Sequence, residues 1–337
     1  MATIIKTKSG YRVQVYVSGV RESKTFRTKR EADAWGSARE IQLRAEKTML
    51  PGEKFTLADA MRRYVDEVSP TKRGERWERV RIAALMRDPV LRCDELMCNL
   101  KTTHLKDWRD ARLKEVKPNT VLREITLLSD LFETARREWH WIEVNPLRDM
   151  RKPSKPESRD VVITRQQIKL MLRAMKYSSN KPVRTVSQSV AACFMLALRT
   201  GMRAGELCKL SWNHVHDGWC HLPTTKTKPR DVPLTGKAMA IIERMRGWDD
   251  ELVFGLKAQS LDALFRKHRI RAGLEGFTFH DSRHTAATWI VGYMRSHNVP
   301  AQQAVFDLCK MFGWENTDQA LTYYNPHARD IARRIGN

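Results

Sequence analysis

Several stretches beyond residue 195 carry side chains whose types and spacing suit work on an anion. From Ala197 to Trp212 an apolar helical pattern stops at Gly201 and a second begins, with Arg203 at the break and Glu206 three residues on. A helix start exposes unpaired backbone N–H groups, and an arginine fork beside them can face the same anion. Glu206, on the same helical face, can orient that arginine. The spacing predicts that this second helix runs past Leu207 and Leu210. Further on, His280-Asp281-Ser282-Arg283-His284-Thr285 places His280 and Arg283 one helical turn apart, within reach of one phosphate. Trp314 offers an indole N–H donor, and two adjacent tyrosines, Tyr323 and Tyr324, follow it. A basic turn carrying Lys226, Lys228 and Arg230 lies between the first two stretches. Taken singly, each has a plainer reading. Arginine at a capped helix start is common, and a run of charge is usually a solvated face.

Bulk composition narrows what the anion is. Lys and Arg number 61 against 39 Asp and Glu, a net charge of +22. So large an excess attracts a polyanion, either nucleic acid or an acidic membrane surface. Spanning a bilayer needs ~20 consecutive apolar residues. The most apolar run, Ser189 to Leu198, is of helix-core length and ends at charged Arg199. At the N-terminus Lys6 and Lys8 lead into a polar turn rather than a signal-peptide apolar region, so a cytosolic location is expected. The 6 cysteines include no CxxC and no zinc-like spacing. Cys193 and Cys208 fall in apolar periodic segments and read as small core residues, which suits a reducing compartment without a structural metal.

The elements that must position these residues divide the chain into three parts. In residues 1–50, Tyr11, Val13, Val15 and Val17 alternate with Arg12, Gln14 and Tyr16, the period of a half-buried strand. Ser18-Gly19 supplies a turn, and Lys24-Thr25-Phe26 reads as a returning strand. Thr28 with Glu31 forms a capping box opening a helix through Ala32, Trp35, Ala38 and Ile41. Arg12, Lys24, Arg27, Lys29 and Arg30 on its polar surface suggest a small DNA-binding module. Residues 55–152 read as helices opened at Thr56, Trp77, Thr103 and Asn119, and closed at Asn145-Pro146. Linkers at Leu50 to Lys54 and at Lys152 to Ser158 bound this part. Residues 160–337 are mostly helical, with one short β segment around Trp219 to Leu234. The fold class expected is mainly α with small β elements (α+β).

The stretch Thr200-Gly201-Met202-Arg203-Ala204-Gly205-Glu206-Leu207 resembles the TGxRxxEL box of the tyrosine recombinase (phage integrase) family. His280 to His284 resembles that family's HxLRH signature, with Ser282 in place of the usual leucine. Gly313-Trp314 through Tyr323 and His327 resembles the LGHxxxxxTxxYxH ending, with Trp314 for the histidine and Ala320 for the threonine. Lys226 to Leu234 resembles the KTxxxRxVPL hairpin, one residue short, which leaves Lys228 as a competitor for the lysine role. The resemblance covers residues ~160–330 well and extends loosely to the two N-terminal parts, an arm-binding-like module and a core-binding domain.

What the resemblance implies is a site-specific integrase of phage or prophage type, working without metal or nucleotide cofactor. Arg203 and Arg283 would grip the non-bridging oxygens of a DNA phosphate, with Trp314 adding a hydrogen bond. Lys226 would protonate the departing 5′ oxygen. Tyr323, ten positions after Gly313, would be the nucleophile, with Tyr324 the competitor; the cations favour its phenolate, and His280 can accept its proton. Glu206 supports Arg203. A 3′-phosphotyrosine would conserve the bond energy for resealing through a Holliday junction. The implied partners are double-stranded DNA with attachment-type sites, a homotetramer on synapsed DNA, and accessory proteins of the DNA-bending and excisionase kinds, in the bacterial cytoplasm or nucleoid and not at a membrane. Three other readings compete: a type IB topoisomerase, a DNA-binding regulator that never cuts, and a metal-dependent nuclease, which EDTA would stop.

Overall fold

Period-2 alternation at one end of the chain and 3.6-residue periodicity elsewhere fold as those periods demand. The computed structural model describes residues 2–7, 9–17, 19–48, 51–155, 161–225, 228–324 and 332. It divides into two units, Met1–Glu157 and Ser158–Asn337. Among the described residues no helix is long and apolar enough to cross a membrane.

In the first unit, β1 (Ala2–Thr7), β2 (Gly10–Val17) and β3 (Val20–Phe26) form an antiparallel sheet in that order, with Val13 opposite Ile4 and Lys24. β1 has no counterpart in the sequence reading, because Ile4-Ile5 and Lys6 break strict alternation. The helix α1 (Lys29–Thr48) covers the face carrying Val13 and Val15, both fully buried with Ala32. It approaches closely because Gly36 has no side chain; a Cβ there would lie 2.8 Å from Val13. Thr28 and Glu31 exchange the two hydrogen bonds of a capping box, and Glu22 on β3 takes a bidentate 2.7 Å pair from Arg39. The opposite face is left with Arg12, Gln14 and Tyr16 beside Arg21, Ser23 and Thr25.

The helices α2 (Leu57–Glu67), α3 (Glu75–Leu85), α4 (Thr102–Glu115) and α5 (Pro118–Arg137) enclose a separate apolar cluster around Tyr64, Trp108 and Phe132. Thr56 caps α2 with a full capping box. Inside this cluster Glu124, with no exposed surface, is matched by Arg81 at 2.8 Å and Arg112 at 3.1 Å. A buried carboxylate needs such partners, since desolvation alone would be costly.

The second unit contains α6 (Arg165–Ala174), α7 (Val186–Thr200), α8 (Ala204–Leu207), the sheet β4 (Val215–His216), β5 (Trp219–Leu222) and β6 (Arg230–Pro233), then α9 (Gly236–Glu243), α10 (Ala258–Arg271), α11 (Asp281–Ser296), α12 (Ala301–Phe312) and α13 (Asp318–Tyr323). Buried from Ser189 to Phe194, α7 is the axis of the main core. A second apolar cluster joins α11, α12 and α13 through Ala286, Val291, Leu308, Phe312 and Ala320.

One expectation is corrected here. The helix after Gly201 ends at Leu207 and does not run past Leu210. Leu210 stays buried, but the backbone turns out of the helix to pair elsewhere: its carbonyl accepts from Val253 at 2.8 Å, and Trp212 donates to Glu251 at 3.1 Å.

Two glycines stop helices at the places that matter next. Gly201 caps α7 at φ 66° and Gly313 caps α12 at φ 63°, both left-handed. Gly201 also lies against the ring of Phe312, where a Cβ would come within 2.3 Å. Gly201→Ala is therefore expected to destabilise the protein by about 1–3 kcal/mol through overpacking, with backbone strain in addition. Urea unfolding of wild type and variant measures this; an unchanged midpoint would mean that Phe312 gives way without cost.

Candidate active site

Glu206 is the first fixed point. It sits in the short helix α8, 5% exposed, and accepts four hydrogen bonds. The Arg203 backbone N–H and Nη1 donate at 2.8 and 2.9 Å; Arg230 Nη1 and Nη2 donate at 2.8 and 2.7 Å. Burial pushes its carboxyl upward, but Arg230 and Arg203 outweigh that and hold it below the usual carboxylate range. Arg203 is thus held by one edge of its guanidinium. Among the described residues its Nε and Nη2 make no hydrogen bond, and its side chain is 25% exposed.

Arg283 comes from the first turn of α11 and is 6% exposed. Its Nη1 donates to the Gly201 carbonyl at 2.7 Å and its Nη2 to the Phe312 carbonyl at 2.6 Å. Both acceptors lie at C-terminal helix ends, where the partial charge is negative. The guanidinium also stands over the rings of Phe312 (4.8 Å) and Trp314 (5.7 Å). Among the described residues no carboxylate pairs with it directly. Burial, and after it the charge of Arg203, push its pKa down to about 9, so it stays cationic at neutral pH but lacks a counter-ion.

Trp314 is stacked between Phe312 (4.7 Å, 24°) and Tyr323 (5.5 Å, 8°). Tyr323, at the last turn of α13, also meets His284 edge-on at 4.8 Å. The ring of the neighbouring Tyr324 lies instead under Arg295 at 4.9 Å. His280 immediately precedes α11, and its carbonyl accepts from the Arg283 N–H at 3.0 Å. Partial burial of its ring, and then the charges of Arg283 and Arg203, lower its pKa.

The structure therefore brings Arg203, Glu206, Arg283, Trp314 and Tyr323 together, with His280 beside them. Lys226 lies outside the described residues. Its competitor Lys228 is exposed in the turn of the hairpin. Ser282, where leucine was expected, is buried and donates to the Phe279 carbonyl at 2.7 Å, so its hydroxyl is satisfied. Ala320 is fully buried in the α11–α13 cluster. The residue that sequence reasoning left outside the site is Arg230. It was seen as part of a hairpin pattern, and its partners are remote in sequence. Among the described residues no group of three His, Cys, Asp or Glu is placed to hold a metal ion.

What the arrangement offers is an under-neutralised cluster of cations next to a stacked phenol. Two guanidiniums and an indole N–H can meet the oxygens of one phosphate.

Comparison with known proteins agrees with this. The Phage integrase family matches residues 161–329. A Haemophilus influenzae protein named "Putative integrase/recombinase" is 36% identical over 294 residues, covering 84% of this chain and 79% of that protein. The shufflon-specific DNA recombinase of Escherichia coli is 33% identical over 244 residues, 69% of this chain and 61% of its own. In fold the chain is similar to the lambda integrase tetramer bound to a Holliday junction, with a TM-score of 0.64 at 18% identity, covering 94% of this chain and 96% of that one. A cation pocket built from these boxes, and relatives sharing a third of their residues with it, lead to one conclusion: the chain belongs to the phage integrase family of tyrosine-type, site-specific DNA recombinases.

Proposed function

We propose that this recombinase cuts and rejoins DNA strands through a 3′-phosphotyrosine on Tyr323. The observation that carries the assignment is Arg283, a buried cation without a carboxylate of its own, with Tyr323 stacked on the Trp314 beside it. A scissile phosphate is the anion such a pocket lacks. Arg203 and Arg283 hold its non-bridging oxygens, where charge grows as the phosphorus becomes pentavalent, and Trp314 donates a further hydrogen bond. His280, kept neutral by its surroundings, takes the phenolic proton. The Tyr323 oxygen then bonds to phosphorus while the bond to the 5′ oxygen breaks, and Lys226 protonates that oxygen. Attack by a 5′ hydroxyl from a second strand reverses the step and releases the tyrosine.

Strand exchange between two duplexes calls for a homotetramer on synapsed attachment-type sites, helped by DNA-bending and excisionase-type proteins, in the bacterial cytoplasm or nucleoid. Residues 55–152 serve as the core-binding domain and 160–337 as the catalytic domain. Residues 1–50 serve as an arm-type DNA-binding module, read from the uncovered sheet face of Arg12, Gln14, Arg21 and Ser23. Its side chains already pair laterally, Arg12 with Ser23 at 3.0 Å and Arg21 with Gln14 at 2.9 Å, the donors and acceptors that base edges engage.

Incubation with nicked suicide duplexes in EDTA should give an SDS-resistant protein–DNA adduct that Tyr323→Phe abolishes and Tyr324→Phe retains. Specific binding with no adduct on any cognate site would support the non-cutting regulator, and relaxation without a preferred site the topoisomerase.

The rate of adduct formation should hold as pH falls through 6.5, the ordinary histidine value, because His280 in the folded protein stays neutral to lower pH. Single-turnover rates give the profile; an acid limb at or above 6.5 that His280→Gln removes would contradict the assignment of a depressed base.

The double variant Arg12→Ala, Arg21→Ala should weaken binding of the full chain to arm-type DNA and reduce its salt dependence. Adduct formation on core-site duplexes should be unaffected, and equal loss on both substrates would remove the arm assignment.

A further inference from the structure

Arg230 opens β6, with its side chain 7% exposed. Through its two Nη groups it holds Glu206, and through Nε it donates to the Met311 carbonyl at 3.2 Å, in the last turn of α12. It also lies so close to Gly313 that a Cβ there would come within 2.9 Å of its Cδ. One side chain thus touches the acidic partner of Arg203 and the helix end that precedes Trp314. The local sequence places it in a hairpin pattern but does not show these distant partners.

We infer that Arg230 is a positioning residue for strand cleavage: by saturating Glu206 it keeps Arg203 available to the phosphate and keeps the site's charge matched to the transition state. The inference rests on the functional reading above.

The hydrogen-bond arithmetic is local. Each oxygen of Glu206 receives one donor from Arg203 and one from Arg230. A carboxylate oxygen has room for about two such donors, so both are full. With Arg230 absent, each oxygen loses one. A buried carboxylate short of donors takes them from the nearest fork, and Arg203 is already there. The two would close into the parallel, bidentate pair that arginine and carboxylate favour. That pair occupies the guanidinium edge which a phosphate needs.

The charge arithmetic points the same way. Arg203, Arg230 and Arg283 against Glu206 leave two net positive charges around the phosphate, apart from the proton that Lys226 gives to the leaving oxygen. A phosphodiester brings one negative charge and an attacking phenolate a second, so the pentavalent state carries two. Loss of Arg230 leaves one positive charge, enough for the bound diester and too little for the state that must form from it. The deficit therefore falls on the rate of cleavage and not on DNA affinity, as for any interaction strongest in the transition state.

The test uses the full chain on a suicide duplex at saturating DNA, with circular dichroism confirming that each variant is folded. Arg230→Met is expected to slow Tyr323 adduct formation by about 10- to 100-fold, with the dissociation constant for the duplex changed by no more than about 3-fold. Adding Glu206→Gln to Arg230→Met removes the carboxylate left without its partner, and should restore the rate by about 10-fold. A purely structural loss would be deepened, not relieved, by a second buried substitution. Arg230→Lys, which keeps the charge but not the fork, should fall between wild type and Arg230→Met, and serves if the methionine variant does not fold. The inference is overturned by an unchanged rate in Arg230→Met, by parallel loss of binding and cleavage, or by a double variant no faster than the single one. Absence of an adduct from wild type itself would overturn the functional reading and this inference with it. An adduct from wild type that Arg230 variants form equally fast would overturn this inference alone.

Discussion

A guanidinium taken out of water must find partners, and Arg283 finds them in two main-chain carbonyls. Everything around the site follows from where those carbonyls are. Gly201 O and Phe312 O are presented because α7 and α12 both stop on left-handed glycines, and Phe312 packs against the first of them where no side chain stands. The same helix end carries Trp314 under Tyr323. The pocket is thus assembled from three helices whose meeting point is a single cation, and their packing leaves that cation short of negative charge.

Much of this was legible in the sequence because the chemistry falls in short windows. Arg203 and Glu206 are a helical turn apart, as are His280 and Arg283, and such pairs can be recognised without knowing the fold. Thr28 and Thr56 announced their helices through local side-chain bonds to the backbone. What could not be seen is what depends on distant partners. Leu210 carries a helical period, yet its backbone pairs with Val253, and no local pattern competes with that strand-like contact in advance. Arg230 looks like one more basic residue in a turn until residues 24 and 81 positions away are folded against it. The strand β1 escaped notice because its apolar pair Ile4-Ile5 has no period, and only its register against β2 gives it one.

The two tyrosines show how a counting rule becomes geometry. Adjacent residues on a helix point about 100° apart. At the end of α13 that angle sends one ring to Trp314, just past α12, and the other to Arg295, in the last turn of α11. Stacking at 8° fixes the plane of the Tyr323 ring, and thereby the plane in which its oxygen lies. Tyr324 has a cationic neighbour too, but Arg295 belongs to the far end of its helix, away from the Arg203 and Arg283 pair.

The counter-charge of Arg283 lies on peptide carbonyls, and this bears on how the protein can change over generations. A side-chain counter-ion is one codon away from loss or reversal. A carbonyl belongs to every residue type, so replacing the side chains that surround the pocket does not alter the dipoles facing the guanidinium, provided the two helices still end where they do. Drift in the sequence around those two carbonyls is thereby decoupled from the dipoles that hold Arg283. For that contact the positions under constraint are the glycines that set the helix endings, while Arg203, Glu206 and Arg230 still set the rest of the site's charge.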